Sequence, residues 1–418
     1  MQKYPLLLRI ILGDVLVSSC GCCRHLKRCA VALQNMVVRG GGGGRRQRSR
    51  RRRRRRRLEQ IQTTSASMNE QPQSQQQKQQ EAKNDDPGVV QVYILLGQSN
   101  MLGMGEIHDP HKDGTLECAV FQKQLYRYLI DEEGRWVTSD NVRNVRVMDG
   151  GNDETNMKVF HNEFMTIRGD TIGPEIGIGH VLEASLMTKM CKKDKEQQPA
   201  AKPPIMLLKS CIGNRSLGWD LLPPGSPRYD YKDKTFAGYG ESPEYWDKGT
   251  NPKPVDWYAG KQYDSDVEHC RTVLNKSNLD KFYPGATRYE VKGFFWWQGD
   301  KDRYQEAHGV MYETNLVRLI RQLKADFGVP NAKFVLATLG QSEIDTVQGN
   351  DKRIFDAMMA VDGNSGKYPD FVGNVATVYS HPLSKGGASN AHYNRNAETY
   401  MNVGQAMGQA MAELVLST

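Results

Sequence analysis

Val90-Val-Gln-Val-Tyr-Ile-Leu-Leu-Gly97-Gln98-Ser99-Asn100-Met101 decides the fold. An apolar run rich in Val, Tyr and Ile reads as a buried strand. It stops abruptly at Gly-Gln-Ser-Asn, where Gly and Asn permit a sharp turn. A serine lifted up at the end of a parallel strand is well placed for a nucleophile, because ligands in open α/β sheets bind at that edge. A strand followed by an ordinary polar turn is the plainer reading. The rest of the chain has to decide between the two.

Outward from this stretch, β-like and helix-like runs alternate. The strand candidates are Val90–Leu96, Pro204–Ser210, Val291–Trp297, Lys333–Thr338 and Asn374–Ser380. The helix candidates are Pro174–Met190, Glu306–Phe327, Asp351–Val361 and Asn396–Leu416. Met401, Val403, Ala406, Met407, Ala410, Met411 and Leu414 share one broad face of the last of these. The alternation predicts a central parallel sheet with helices on both faces. Two stretches, Gly103–Phe164 and Pro223–Tyr263, fit no element. The second is crowded with aromatics suited to stacking on sugar rings, or to packing on one another.

Residues 1–88 hold 19 Lys/Arg against 6 Asp/Glu, so this tail carries +13 of a chain total of +8, and residues 89–418 carry 8 − 13 = −5. The glycine run Gly40–Gly44, the arginine run Arg45–Arg57 and the glutamine-rich Gln71–Gln80 predict a disordered basic tail ahead of one folded domain, 89–418. The arginine run suits a solvated linker, or a contact with nucleic acid, anionic lipid or an import receptor. The acidic remainder argues against nucleic acid as a ligand of the folded domain. The apolar run Leu6–Val17, broken by Arg9 and Asp14, is too short and too charged to span a bilayer. It fits a secretory or organelle-targeting segment. No transmembrane helix is expected in the core. Cys20, Cys22, Cys23 and Cys29 lack the spacing and histidines of a zinc site. Cys118, Cys191, Cys211 and Cys270 read as buried thiols or, in a secreted protein, disulfide partners.

A serine hydrolase needs a base for the serine proton, a carboxylate to orient that base, and donors for the oxyanion. Among nine histidines, His392 in Ser389-Asn-Ala-His392-Tyr-Asn394 lies in a polar loop between the last strand and the last helix. That loop is at the same sheet edge as Ser99. His381, just after the last strand, is the second choice. Phe294-Phe-Trp-Trp297 delivers Gln298-Gly-Asp300-Lys-Asp302 to this edge. Asp300 or Asp302 can orient the histidine, and Gln298 can offer an amide. Ser210-Cys-Ile-Gly213-Asn214 ends a third strand and supplies further donors.

Gly97–Met101 resembles the nucleophile block of the SGNH hydrolases, and more narrowly that of the carbohydrate esterase family 6 and sialate O-acetylesterase group. Ile172-Gly173-Pro174-Glu175 resembles the second block of that group, Gly213-Asn214-Arg215-Ser216-Leu217 its third, Trp297-Gln298-Gly299-Asp300-Lys301-Asp302 its Trp-x-Gln-Gly-Glu-x-Asp segment, and His392-Tyr393-Asn394 its histidine block. The blocks keep the group's order and span residues 90–415. The resemblance implies a three-layer α/β/α sandwich of the SGNH, flavodoxin-like kind and a serine esterase that removes O-acetyl groups from carbohydrate. It implies Ser99, His392 and Asp300 as the catalytic residues, with Asp302 as the alternative acid. Gln98, Gly173, Gly213, Asn214 and Gln298 are implied for the oxyanion and substrate, and no metal or cofactor is needed.

Two departures stand out. Many members place an aspartate three residues before the histidine, where this chain has Ser389. In some family 6 esterases the glutamate of the Gln-Gly-Glu segment is thought to serve instead, and Asp300 matches it with one methylene fewer. The enlarged Pro223–Tyr263 segment is the second departure. A catalytically impaired carbohydrate-binding protein of the same fold is the alternative expectation.

Overall fold

The computed structural model describes residues 89–152, 156–193, 202 and 204–417, so the expectations for the tail lie outside the described residues. The described strands are β1 (Val89–Gly97), β2 (Gly105–Glu106), β3 (Val142–Asp149), β4 (Met157–Phe164), β5 (Thr171–Ile172), β6 (Ile205–Ser210), β7 (Tyr229–Tyr231), β8 (Lys234–Phe236), β9 (Tyr245–Asp247), β10 (Arg288–Trp297), β11 (Lys333–Ala337) and β12 (Val375–Val378). Seven of them form the central sheet in the order β12-β11-β10-β1-β6-β3-β4. Every neighbouring pair is parallel except β3 and β4 at the edge.

The period-two pattern of β1 explains its central place. Val90, Val92, Ile94 and Leu96 enter the core on one face, while Tyr93 and Leu95 enter it on the other. The first face is covered by α3 (Lys261–Leu274), α5 (Glu306–Asp326) and α6 (Gly349–Ala360), through residues such as Val267, Ile320 and Met358. The second is covered by α2 (Glu175–Lys193) and α7 (Ala397–Leu416), through Ile178, Leu182, Met407 and Met411. Among the described residues, α1 (Ser99–Leu102) and α4 (Leu279–Phe282) are short α-helices. This is the three-layer α/β/α sandwich expected from the sequence. The parallel register sets Gly97 of β1 opposite Trp297 of β10, and Leu95 opposite Lys209 of β6. Three strands therefore end together, and their loops emerge side by side.

The stretches expected to lack regular structure do not lack it. Gly103–Phe164 contains β3 and β4, and Pro223–Tyr263 folds into a small antiparallel sheet of β7, β8 and β9. In β3 the alternation is disguised. Val145 and Val147 face the core, whereas Arg143 and Asn144 are polar yet buried. The inserted sheet packs Trp219, Leu222, Ala237 and Ala259 into a core of its own, flanked by Tyr239, Trp246 and Trp257. Cys118, Cys211 and Cys270 are free and buried. No helix among the described residues is long and apolar enough to cross a membrane.

Candidate active site

The serine turn is built from the backbone outward. Gly97 has φ 145°, and a Cβ there would stand 2.5 Å from the Trp297 carbonyl oxygen. Only glycine lets β1 and β10 run this close. Gln98 is buried, and its side-chain oxygen accepts from the Gly299 and Lys301 N–H groups, both at 3.3 Å. It thereby ties the serine turn to the turn after β10. Ser99 opens α1, which closes through the Gly103 N–H on the Ser99 carbonyl at 3.0 Å.

Beneath α1 lies a buried ion pair that sequence reading had not singled out. Lys209 Nζ donates to Glu175 Oε2 at 2.5 Å and to the Leu102 carbonyl at 3.1 Å. Glu175 Oε1 accepts the Gly173 N–H at 3.2 Å. Three segments of the motif set are thus braced by two side chains, each at most one-tenth exposed. The sequence signal was there: a lysine inside the apolar run Ile205-Met-Leu-Leu-Lys209 demands a buried partner. A polar cavity of about 110 Å³ lies behind the brace, lined by Leu102, Asn144, Arg146, Glu175 and Lys209 among others. Neither Ser99 nor His392 lines it, so it is separate from the candidate reaction site.

Of the proposed oxyanion and substrate residues, two stand open beside the serine. A Cβ at Gly213 would be 3.6 Å from Ser99 Cβ, with nothing else within van der Waals reach. Asn214 follows in the left-handed region at φ 58° with its side chain exposed. The others are occupied. The Gly173 N–H is taken by Glu175. Gln298 donates to the Arg215 carbonyl at 2.9 Å and to Asp302 at 2.6 Å, and accepts from Tyr312 at 2.8 Å. Its amide locks the loops together and has no hydrogen left for an oxyanion. Asn100, next to Ser99, is fully buried, and neither atom of its amide finds a partner among the described residues.

The histidine segment Ser389–Arg395 packs against α1. His392, Tyr393, Asn394 and Arg395 are all left-handed, with φ of 50°, 55°, 49° and 60°. Tyr393 anchors them. Its ring stacks on Trp297 at 5.7 Å, and its hydroxyl accepts the Gly340 N–H at 3.2 Å. His392 is half-buried, and its ring has no hydrogen-bonding partner among the described residues. His381, the second choice of base, is tied through Nδ1 to the Gly340 carbonyl at 2.8 Å.

The two candidate acids part company. Asp302 is fully buried and accepts from the Leu217 N–H (2.9 Å), the Gly218 N–H (2.8 Å) and Gln298. Its nearest histidine is His308, at 3.9 Å, not His392. Burial pushes Asp302 up to about 7, against the pull of those donors, and pushes His308 down to about 4. Asp300 lies at the candidate site but does not touch His392. Its Oδ1 accepts from Ser389 Oγ at 2.6 Å and from Arg303 Nη1 at 2.8 Å.

The inserted sheet reaches the same edge. Arg215 lies 4.5 Å from the centre of the Trp257 ring and 3.6 Å from Asp220. Glu244 lies 3.3 Å from His308, and Phe236 packs edge-on to that histidine at 5.9 Å. The aromatics of this segment pack largely on the body of the domain and on each other.

With this geometry in view, residues 236–413 match the family described as "Carbohydrate esterase, sialic acid-specific acetylesterase". That span contains Asp300 and His392 and leaves Ser99 outside it. The carbohydrate esterase and sialate O-acetylesterase group is therefore the one this chain resembles in its motifs and matches over its C-terminal half. Three similar solved structures are a protein from Arabidopsis thaliana, a carbohydrate acetylesterase from Xanthomonas citri, and NanS. The first is 16% identical with a TM-score of 0.41, covering 77% of this chain and 97% of that one. The second is 13% identical with a TM-score of 0.41, covering 78% and 57%. NanS is 11% identical with a TM-score of 0.39, covering 79% and 98%. No curated protein matches the chain.

Proposed function

We propose that the protein is a serine esterase that removes O-acetyl groups from carbohydrate. One observation carries the reading. Ser99, the Gly213–Asn214 turn and the His392 segment come from three distant parts of the chain and meet at one edge of the sheet. The family match adds an esterase class.

In this mechanism Ser99 Oγ attacks the acetyl carbonyl as His392 takes its proton. The Gly213 and Asn214 backbone N–H groups, with the Ser99 N–H, hold the developing oxyanion. His392 then protonates the departing sugar hydroxyl. Water, deprotonated by the same imidazole, attacks the acetyl-serine, and the imidazolium passes that proton to Ser99 Oγ as acetate leaves. The unpartnered state of His392 is compatible with this sequence, because catalytic hydrogen bonds often tighten only when substrate is bound.

The alternative is a carbohydrate-binding protein without catalysis. It is favoured by the lack of a carboxylate on His392 among the described residues. The discriminating experiment measures acetate release from a panel of O-acetylated glycans by the full chain and by Ser99→Ala, His392→Ala and His381→Ala. The proposal expects release that is lost in Ser99→Ala and His392→Ala and kept in His381→Ala. Glycan binding with no release would establish the binding protein instead. Equal release by the chain and by Ser99→Ala would remove Ser99 from the mechanism.

A further inference from the structure

We infer that Ser389 is the positioning residue through which Asp300 acts on His392; this rests on the reading of Ser99 and His392 given above. Ser389 stands three residues before the histidine, at the start of the histidine segment. The position is uncharged but one step removed from a charge. Ser389 is 1% exposed, and its hydroxyl donates to Asp300 Oδ1 at 2.6 Å. Its N–H is fixed as well, on Gln341 Oε1 at 3.2 Å.

Asp300 is in turn held rigidly. Arg303 Nη1 donates to it at 2.8 Å, and Arg303 Nε donates to Asp351 at 2.8 Å. The carboxylate therefore stands on the turn after β10, while the hydroxyl it grips begins the histidine segment. A hydroxyl that donates one proton keeps lone pairs with which to accept. Ser389 can thus accept an imidazole N–H while donating to Asp300 once the His392 ring, unpartnered among the described residues, turns onto it with substrate bound, and the negative charge then supports an imidazolium without touching it. No bond forms or breaks at Ser389, and its role is to fix the start of a segment whose next turn is left-handed.

This arrangement separates two roles that a directly contacting aspartate combines. Asp300 supplies charge, and Ser389 supplies place. Removing either breaks the same link, so their effects must not add.

The test measures kcat, KM and the pH profile of kcat with p-nitrophenyl acetate, using the full chain. The variants are Ser389→Ala, Asp300→Asn, the two together, Ser389→Thr, and the exchange Asp300→Ser with Ser389→Asp. Ser389→Ala is expected to lower kcat about 10- to 100-fold, as loss of an orienting partner does elsewhere, with KM nearly unchanged. The double variant should be no worse than the poorer single one. Ser389→Thr, which keeps the hydroxyl, should recover most of the loss, and so should the exchange. The acidic limb of the kcat profile should move to lower pH in Ser389→Ala, because kcat reports the substrate complex, where the imidazolium draws on Asp300 through Ser389. A purely structural role for Ser389 would not move that limb. If the alanine variant does not fold, Ser389→Cys, similar in size and a weak donor, takes its place. Wild-type turnover abolished by Ser99→Ala but unchanged by Ser389→Ala, or strictly additive losses in the double variant, would overturn this inference alone. Absence of wild-type turnover would overturn the esterase reading and this inference with it.

Discussion

The serine and the histidine reach the same edge by opposite means. The serine side is fixed from below. Gly97 allows β1 to lie against β10, Gln98 bonds across to the next turn, and the Lys209–Glu175 pair grips Leu102 and Gly173. The helical turn of α1 has ordinary right-handed geometry. The histidine side is fixed from around. Four consecutive residues without glycine, His392–Arg395, sit in the left-handed region, at a cost of roughly 1–2 kcal/mol each. Such a run persists only where its surroundings hold it. Here they are the Tyr393 ring against Trp297, the Ser389–Asp300 bond, and Asn396, whose side chain caps α7 at the Thr399 N–H. The candidate nucleophile thus sits on a regular helical turn braced from beneath, and the candidate base on a left-handed run held only by what surrounds it.

The comparison can be broken most severely at its centre. Ser99→Ala should lower kcat for acetyl ester hydrolysis by several orders of magnitude while leaving the melting temperature near that of the wild type. A steady-state assay with a thermal scan on the same sample checks both halves. Next in size is the serine-side brace. Lys209→Met leaves Glu175 buried without its cation, which should cost about 3–5 kcal/mol, read from urea unfolding. Replacing both partners, as Lys209→Met with Glu175→Leu, should restore part of that stability but not the placement of α1, so kcat should stay low. Recovery of kcat along with stability would show that the brace does not position the serine.

On the histidine side, Tyr393→Phe removes the acceptor of the Gly340 N–H but keeps the ring on Trp297. A loss of about 1–3 kcal/mol is expected, the penalty of one buried unpaired donor. Hydrogen exchange should rise locally in the Gly340 and 389–396 segments, leaving the serine turn as protected as before. Equal loosening of both sides would erase the distinction between them.

The smallest effect is a pH slope beneath the serine side. Asp266 accepts from Ser210 Oγ at 2.8 Å, at the end of β6, and burial pushes its carboxyl up to about 8. A carboxyl raised on folding from its ordinary value of about 4 favours the folded state in acid. That contribution is full below about pH 4 and fades as pH climbs to about 8. Asp302, raised in the same direction, adds to the slope. Thermal scans should therefore show Asp266→Asn flattening the decline in stability between these limits. An unchanged slope would mean that Asp266 titrates near its ordinary value.

The sequence made the serine legible because its signal is local: an apolar strand, a required glycine, a polar turn. The sheet edge was legible for the same reason, since each strand end carries its own Gly or Asn. The strand β3 was not, because the buried Arg143 shares the face of Val145 and Val147, while Asn144 and Arg146 line the polar cavity on the other face. The three-residue strands β7, β8 and β9 are too short to produce a period. Gln298 was read as a possible oxyanion donor, but its amide turns inward, because Asp302 beneath it needs the hydrogen. The Ser389–Asp300 bond joins residues 89 positions apart, and nothing in either local sequence announces it. That Ser389 is bonded to a carboxylate cannot be read from its own surroundings in the chain.

The most direct measurement is a rapid-quench reaction of the full chain with p-nitrophenyl acetate, followed by peptide mass mapping. The account predicts one acetyl group on the peptide that contains Ser99, formed within the first turnover and absent in His392→Ala over the same interval. Turnover that proceeds with no acetyl group ever found on Ser99 would contradict it.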